Sequence, residues 1–448
     1  MENKAAKFSR TAWVVLLLFG VIGQIAWSVE NMFFNLFVYD EVAKNLDTVT
    51  LMVQLSGVAA TVVTLFAGTL SDKLGNRRSF ISWGYLIWGV TVALFGCLSP
   101  DLVGSIFGLP YEQAVPLCLV LVVAADCIMT LFGSTANDAA FNAWVTDNTD
   151  NSNRGKIEGV LAILPLIAML IVAGGFGIIK DLVGYRALFI GLGAVISLSG
   201  LFGIFMIKDA PTLEKNGGVK DIFYGFLPSV IKNNKPFYIT LLVVLIYGIA
   251  CQIFMPYMII FMTTYLGFEV LEYSLVFGIA ILGGAGVNLY LTRLSDKKDK
   301  VKMMYLAAII FAVGLLLLYL ASMITERVAL LIVFGIAGFI MITGYIFVSA
   351  LSGAIVRDYT PQGSVGKFQG VRMVASVLIP MLLGPAIGNG INKIRNVKLP
   401  NLDSADVMTT EYVPAPEIFL VGAIFAIALF AIIPLLKKSI ENKRENDR

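Results

Sequence analysis

Twelve apolar runs divide this chain of 448 residues, each long enough to cross a hydrocarbon layer about 30 Å thick, which takes roughly 20 helical residues. They lie near Ala12–Tyr39, Val49–Leu70, Phe80–Leu98, Val115–Phe141, Ile157–Ile179, Ala187–Ile207, Phe237–Leu266, Tyr273–Leu291, Val301–Met323, Val328–Leu351, Phe368–Gly388 and Ile418–Leu436. Only 14% of the residues are charged, against about 25% in a typical soluble protein. In lipid every backbone N–H and C=O must be satisfied within its own segment, so such runs are helices rather than open strands. The expectation is an all-α integral membrane protein with twelve transmembrane helices.

The two halves of the chain repeat each other. Asp147-x-Thr149 with Gly155-Lys156-x-Glu158-Gly159-Val160 returns as Asp358-x-Thr360 with Gly366-Lys367-x-Gln369-Gly370-Val371, each position 211 residues on. Leu70-Ser71-Asp72-Lys73 returns as Leu294-Ser295-Asp296-Lys297, and Gly20-x-x-x-Gln24-Ile25 as Gly248-x-x-x-Gln252-Ile253. Duplicated helix bundles are how many transporters build two halves that rock about a central site. The repeat predicts an N-terminal six-helix bundle over 1–207, a cytoplasmic linker over 208–236 that is rich in Lys and contains Gly217-Gly218, and a C-terminal bundle over 237–448.

Placement of charge predicts orientation. Most of the 33 Lys and Arg lie on the loops that share a side with both termini, and basic loops stay cytoplasmic. A multi-pass protein of the cell membrane with both ends inside is expected. The first run carries Glu30 and Asn31 and lacks a small-residue cleavage site, so it reads as a retained span rather than a signal peptide. Long external loops are expected over 99–114 and 389–416. The four cysteines, Cys97, Cys118, Cys127 and Cys251, are scattered through apolar runs without metal or disulfide spacing. There is no histidine, so a coupled proton would have to ride on carboxylates. No cofactor, nucleic-acid or nucleophile motif is present, which argues against a membrane enzyme.

Between spans two and three lies Gly68-x-Leu70-Ser71-Asp72-Lys73-x-Gly75-Asn76-Arg77-Arg78. Gly68 permits close helix contact, Asp72 can pair with Arg77 or sit at another helix's N-terminus, and Gly75 permits a tight turn. Such a cluster can hold a cytoplasmic gate closed in one state and release it in another. The motif resembles the signature loop of the major facilitator superfamily, with Asn76 where that family usually has a basic residue. The second copy, Asp296-Lys297-Lys298, lacks both glycines and is expected to be the weaker gate.

The loops that lead into spans five and eleven are similar to those of the glycoside–pentoside–hexuronide:cation symporters, the relatives of melibiose permease. The similarity rests on Asp138-x-x-Phe141-x-Ala143, Asp147 and Arg154, and on Arg357-Asp358-Tyr359-Thr360-Pro361 followed by Gly366-Lys367-Phe368-Gln369-Gly370. It implies gating roles for Asp147, Arg154, Asp358 and Arg372, whereas Lys156 and Lys367 read better as interfacial anchors. The same resemblance implies that Asp138 contributes to sugar and cation binding. Those relatives place acids for sodium in span two; this chain has none between Val49 and Leu70, which favours proton over sodium coupling.

Acids inside a span cost about 2.5–3.5 kcal/mol each at the bilayer centre on insertion scales, so they usually mark a pathway. Three qualify: Glu30 in span one, and Asp126 and Asp138 in span four, Asp126 being the nearest to the outer mouth. At 100° per residue Gln24, Ser28, Asn31 and Asn35 form a stripe on span one flanked by Trp27. Glu30 falls about 120° away on the side of Trp27 and Phe34. Asp126, Thr130, Gly133 and Asn137 share a stripe on span four, and Gln54, Gly57, Thr61 and Thr64 one on span two. Polar stripes beside aromatic rings suit a sugar, whose hydroxyls need directed hydrogen bonds and whose apolar face stacks on rings. Gln252, Tyr257, Tyr345 and Ser349 are the corresponding candidates in the second half. Matching breakers, Pro165 with Gly174-Gly175-Gly177 and Pro380 with Gly384-Pro385-Gly388, suit two spans that bend.

The sequence therefore predicts a transporter that takes up a glycoside or oligosaccharide by alternating access, with Glu30 or Asp138 carrying the coupling ion, H+ or Na+. Facilitated diffusion without coupling, export of an amphipathic compound, or a non-transporting sensor on the same scaffold remain as alternatives.

Overall fold

The computed structural model describes residues 8–149, 154–210, 223–360, 365–398, 409–410 and 412–446. The linker positions 211–222 and the loop positions 399–408 and 411 lie outside them. Among the described residues the ordered elements are all helical. Eleven helices among the described residues are long and apolar enough to cross a membrane: Arg10–Val42, Leu46–Ser71, Arg77–Phe95, Tyr111–Asp147, Ile163–Met206, Lys235–Tyr265, Val270–Ser295, Lys300–Ala321, Arg327–Tyr359, Phe368–Arg395 and Glu417–Lys443.

Twelve spans were expected, and one helix accounts for the difference. Ile163–Met206 has 44 residues, roughly 66 Å at 1.5 Å per residue, about twice the thickness of the hydrocarbon layer. Gly184 interrupts it with φ 78° and ψ 164°, a backbone region essentially reserved for glycine. The helix is thus spans five and six, with the polar stretch between the two apolar runs still helical up to the break. Numbered this way, the chain crosses twelve times.

Polar residues at the helix ends extend several spans beyond their apolar runs because they satisfy the orphan N–H groups there. The Asn76 side chain accepts from the Ser79 amide at 2.9 Å at the start of span three. Asp299 accepts from the Val301 amide at 2.8 Å before span nine, and Glu269 and Glu272 form a reciprocal capping box on span eight.

The chain divides into two compact units, Met1–Val219 and Lys220–Arg448. In the first, spans three and six approach closely: a Cβ on Gly89 would collide with the Gly193 carbonyl and with Ser197, and the Ser197 hydroxyl donates to the Leu86 carbonyl at 2.9 Å. Small residues at such crossings let two backbones pack where no solvent drives them together. In the second unit spans nine and ten make a comparably close crossing, with Gly314 against the Met341 backbone and Gly344 against the Phe311 backbone.

Among the described residues five spans contain π-helical segments: Glu30–Phe34 and Val38–Val42 in span one, Ser134–Phe141 in span four, Val172–Phe176 in span five, Phe261–Tyr265 in span seven and Val374–Leu378 in span eleven. Such segments widen the helix locally and recur at functional positions. In span eleven Pro380 follows at once; with no N–H it releases the carbonyl of Ser376, four residues back, inside the π segment. Two of the three intramembrane acids, Glu30 and Asp138, sit on these segments.

Candidate functional site

The first unit gathers its buried polar groups where spans one, three and four meet. Glu30 is 7% exposed and Asp126 1%. Thr130, one helical turn beyond Asp126, donates its hydroxyl to Glu30 Oε1 at 3.0 Å. Glu30 lies within electrostatic reach of both Asp126 and Asp138, and Ser56 of span two lies against Asp126 while donating to the Val53 carbonyl at 3.2 Å. Asp126 is enclosed beside Glu30 within the unit, because the stripe Asp126, Thr130, Gly133 and Asn137 faces spans one, two and three.

Two indoles adjoin the acids. Trp27 lies beside Asp138 and tilts against Trp88 with ring centroids 5.2 Å apart. Trp88 is fully buried over Gly133, where a Cβ would lie 2.7 Å from the indole. Several enclosed atoms have no hydrogen-bond partner: Glu30 Oε2, Asp126 Oδ1, Trp88 Nε1 and Asn35 Oδ1. Each such atom costs about 1–3 kcal/mol when it stays unpaired. The group contains donors and acceptors alike. Among the described residues no Lys or Arg interacts with the three acids, and no three His, Cys, Asp or Glu side chains are grouped as metal ligands.

Asp138 is half-buried. Ser134 donates to its Oδ2 at 3.1 Å and the Asn137 amide to its Oδ1 at 3.3 Å. Asn137 in turn accepts from the Tyr85 hydroxyl at 2.9 Å. On span one, Gln24 and Trp27 are half-buried and Asn31 is exposed. The Asn31 amide donates to the Trp27 carbonyl at 2.7 Å and that of Asn35 to the Asn31 carbonyl at 3.1 Å. These side chains satisfy carbonyls where the π segment shifts the ladder of the helix. Phe34 is not available for stacking as expected: Phe95 stacks on it at 4.2 Å and Phe189 meets it edge-on at 4.8 Å.

Two candidates of the second unit, Tyr257 and Gln252, sit at tight helix contacts. Tyr257 is fully buried and donates to the Pro385 carbonyl at 2.9 Å. That corrects its expected role: hydroxyl and ring are both engaged between spans seven and eleven. Gln252 is half-buried and packs its Cβ against Gly384. Tyr345 is half-buried, its carbonyl accepting from the Tyr247 hydroxyl at 2.9 Å, and Ser349 is exposed.

At the end of the first unit that carries the N-terminus, Gly75 adopts φ 62° and makes the turn between spans two and three. Arg77 pairs with Asp147 at 3.0 Å and donates to the Ser71 hydroxyl at 2.5 Å; the expected pairing with Asp72 falls on a side chain outside the described residues. Asp209, after span six, accepts from the backbone amides of Arg77 and Arg78 at 3.0 and 2.9 Å, where an anion at a helix start is favoured. The exposed Arg78 guanidinium donates to the Ile204 carbonyl. Gly68 is not required for close contact within this unit, since a Cβ there would meet only Ala139 at 4.0 Å. The side chains of Asp72 and Arg154 lie outside the described residues. In the second unit Lys300 pairs with Asp358 at 2.6 Å, and Arg372 is half-buried on span eleven.

Sequence reasoning missed Tyr85, Trp88, Ser56, Ser134 and Asp209. Tyr85 and Trp88 stand in an apolar run with no polar stripe and read as packing, while Asp209 lies among the charges of a linker.

The sequence profile described as Major Facilitator Superfamily matches residues 15–385. No curated protein matches the chain in sequence. Among solved structures it is similar to the nucleoside transporter NupG, with 11% identity over 96% of this chain and 100% of that one, at a TM-score of 0.66. It is also similar to a bacterial homolog of the human lysosomal transporter Spinster, in an inward-facing and occupied conformation, with 12% identity over 97% and 98% of the two chains and a TM-score of 0.66. Identities this low speak to the fold alone. Together with twelve crossings in two repeated halves, the profile match establishes that this multi-pass membrane protein belongs to the Major Facilitator Superfamily of transporters.

Proposed function

We propose that the chain takes up a glycoside or oligosaccharide by alternating access, coupled to protons, in the cell membrane with both termini cytoplasmic. One observation carries the reading: the half-buried Asp138 carboxylate, an acceptor, lies beside the Trp27 indole, a donor with an aromatic face. A bare cation would satisfy only the acceptor and an anion only the donor. Hydroxyl groups satisfy both, and the aromatic walls suit the apolar face of a sugar ring.

Enclosure divides the labour. Glu30 and Asp126 are nearly sealed, which suits a proton better than a sugar. Asp138, Trp27, Gln24 and Asn31 are more open and are assigned to the cargo in the first unit; Tyr345, Gln252 and Ser349 are the candidates of the second. Three acids without a basic neighbour need a compensating positive charge. With no histidine in the chain and no metal-like ligand grouping among the described residues, protonation of these carboxyls is preferred to sodium. Arg77, Arg78, Asp147 and Gly75, with Asp72, Arg154, Asp358 and Arg372, are assigned to the cytoplasmic gate.

Uptake of a panel of labelled disaccharides into proteoliposomes, with and without a pH or sodium gradient, tests this reading. Labelled nucleosides form a second arm, because a nucleoside also presents hydroxyls and a flat ring and a structurally similar protein transports one. Accumulation of a disaccharide driven by the pH gradient, lost in Glu30→Gln and Asp138→Asn, is the expected result. Retention of gradient-driven accumulation in both variants would overturn the site.

A further inference from the structure

Tyr85 of span three offers one hydroxyl hydrogen to two acceptors. Its oxygen lies 2.7 Å from the Phe19 carbonyl of span one and 2.9 Å from Asn137 Oδ1 of span four. A hydroxyl has a single hydrogen, so it serves one acceptor at a time. The side chain is fully buried, Asn137 is 3% exposed, and water has little room to supply the missing donor. Gly23 closes the node: a Cβ there would lie 2.5 Å from both the Tyr85 oxygen and Asn137 Oδ1.

The choice of acceptor matters beyond Tyr85. When the hydroxyl donates to Asn137 Oδ1, the amide is pinned with its NH2 group toward Asp138, as the 3.3 Å contact to Oδ1 requires. When it donates to the Phe19 carbonyl, nothing in the node holds Oδ1 away from the carboxylate, and the amide is free to turn. The Phe19 carbonyl is also the acceptor for the Gly23 amide in the α-helical ladder of span one. A change at Asp138, whether a proton or a cargo hydroxyl, therefore reaches the backbone of span one through two polar groups.

We propose that Tyr85 is a positioning residue that orients Asn137 toward Asp138 and transmits the state of Asp138 from span four to span one. The proposal rests on Asp138 belonging to the working site. Its signature is non-additivity: what Asp138→Asn does to span one must depend on the Tyr85 hydroxyl.

Hydrogen–deuterium exchange on the full-length protein in detergent reads this without any cargo. The peptide containing Gly20–Gln24 reports the Gly23 amide. Asp138→Asn is expected to change its exchange by about two- to tenfold, the range of one net hydrogen bond, and to change nothing there once Tyr85→Phe is present. Tyr85→Phe keeps the ring against Phe19 (4.8 Å) and Trp88 (5.4 Å), so a thermal midpoint near that of the parent protein confirms a folded variant. Asn137→Ala cuts the same path at its middle link and must give the same uncoupling. If Asp138→Asn alters the span-one peptide equally with and without the Tyr85 hydroxyl, or leaves it unaltered in the parent protein, the inference falls. Failure of every labelled disaccharide to accumulate would instead strike the cargo assignment and leave this measurement standing.

Discussion

Arg77 and Asp147 form an ion pair at 3.0 Å that joins the first residue of span three to the last residue of span four. The second unit repeats the relationship with different chemistry. Lys300 is the first residue of span nine, and its ammonium meets Asp358, one residue before the end of span ten, at 2.6 Å. Asp147 and Asp358 are the positions related by the 211-residue repeat. The two pairs differ in burial: the side chains of Arg77 and Asp147 are 6% and 23% exposed, those of Lys300 and Asp358 36% and 50%.

That difference sets unequal energies. An exposed pair in high dielectric is worth about 0–1 kcal/mol, whereas hydrogen bonds to a half-buried charge contribute about 1.5–3 kcal/mol. Double-mutant cycles with Arg77→Met and Asp147→Asn, read by SDS-induced unfolding, should give a coupling of about 1–3 kcal/mol. The cycle on Lys300 and Asp358 should give less than about 1 kcal/mol. Equal couplings would mean that burial does not separate the two pairs.

Thr130 should matter through its hydroxyl alone. It is buried and donates to Glu30 Oε1, so Thr130→Val leaves the volume nearly unchanged and removes one donor from a carboxyl that already has an unpaired oxygen. Gradient-driven uptake in proteoliposomes should fall by about tenfold, equivalent to roughly 1.4 kcal/mol, and Thr130→Ser should restore most of it. An unimpaired valine variant would show that the Glu30–Thr130 bond is idle.

The twelve crossings, the repeat and the intramembrane acids were legible because each leaves a one-dimensional signal: length of an apolar run, recurrence at a fixed offset, and the rarity of charge in lipid. Helical periodicity also placed Asp126, Thr130, Gly133 and Asn137 on one face. What that face meets was not legible. Tyr85 and Trp88 are amphipathic only at one atom, so within an apolar run they look like packing, and only the fold brings their polar ends to Asn137 and Gly133. The Arg77–Asp147 pair was not legible for a related reason: 70 residues separate the two, and only helix geometry carries the end of span four to the start of span three. Tyr257 looked like a ligand for a sugar until its hydroxyl was found on the Pro385 carbonyl.

Gly133 is a tight spot beside the candidate site. A Cβ there would lie 2.7, 3.0 and 3.1 Å from Cε2, Cζ2 and Nε1 of Trp88, a rigid ring that is itself fully buried. Gly133→Ala should therefore destabilise the protein by about 1–3 kcal/mol, the usual cost of overpacking. Gly174→Ala, where a Cβ meets nothing within 4 Å, serves as the control and should leave the thermal midpoint in detergent close to its starting value. A tolerated alanine at Gly133 would place Trp88 elsewhere.

Gly184 tests the count of crossings. Its φ of 78° and ψ of 164° interrupt a 44-residue helix, and a Cβ there would touch nothing within 4 Å, so the only obstacle to a side chain is the backbone itself. Gly184→Ala should cost about 1–3 kcal/mol, whereas Gly191→Ala, equally open but at negative φ, should be neutral or slightly stabilising through helix propensity. Unfolding midpoints of the two variants in the same detergent give the comparison. If Gly184→Ala were as benign as Gly191→Ala, the helix would pass through this point without a break, and spans five and six would have to be separated elsewhere.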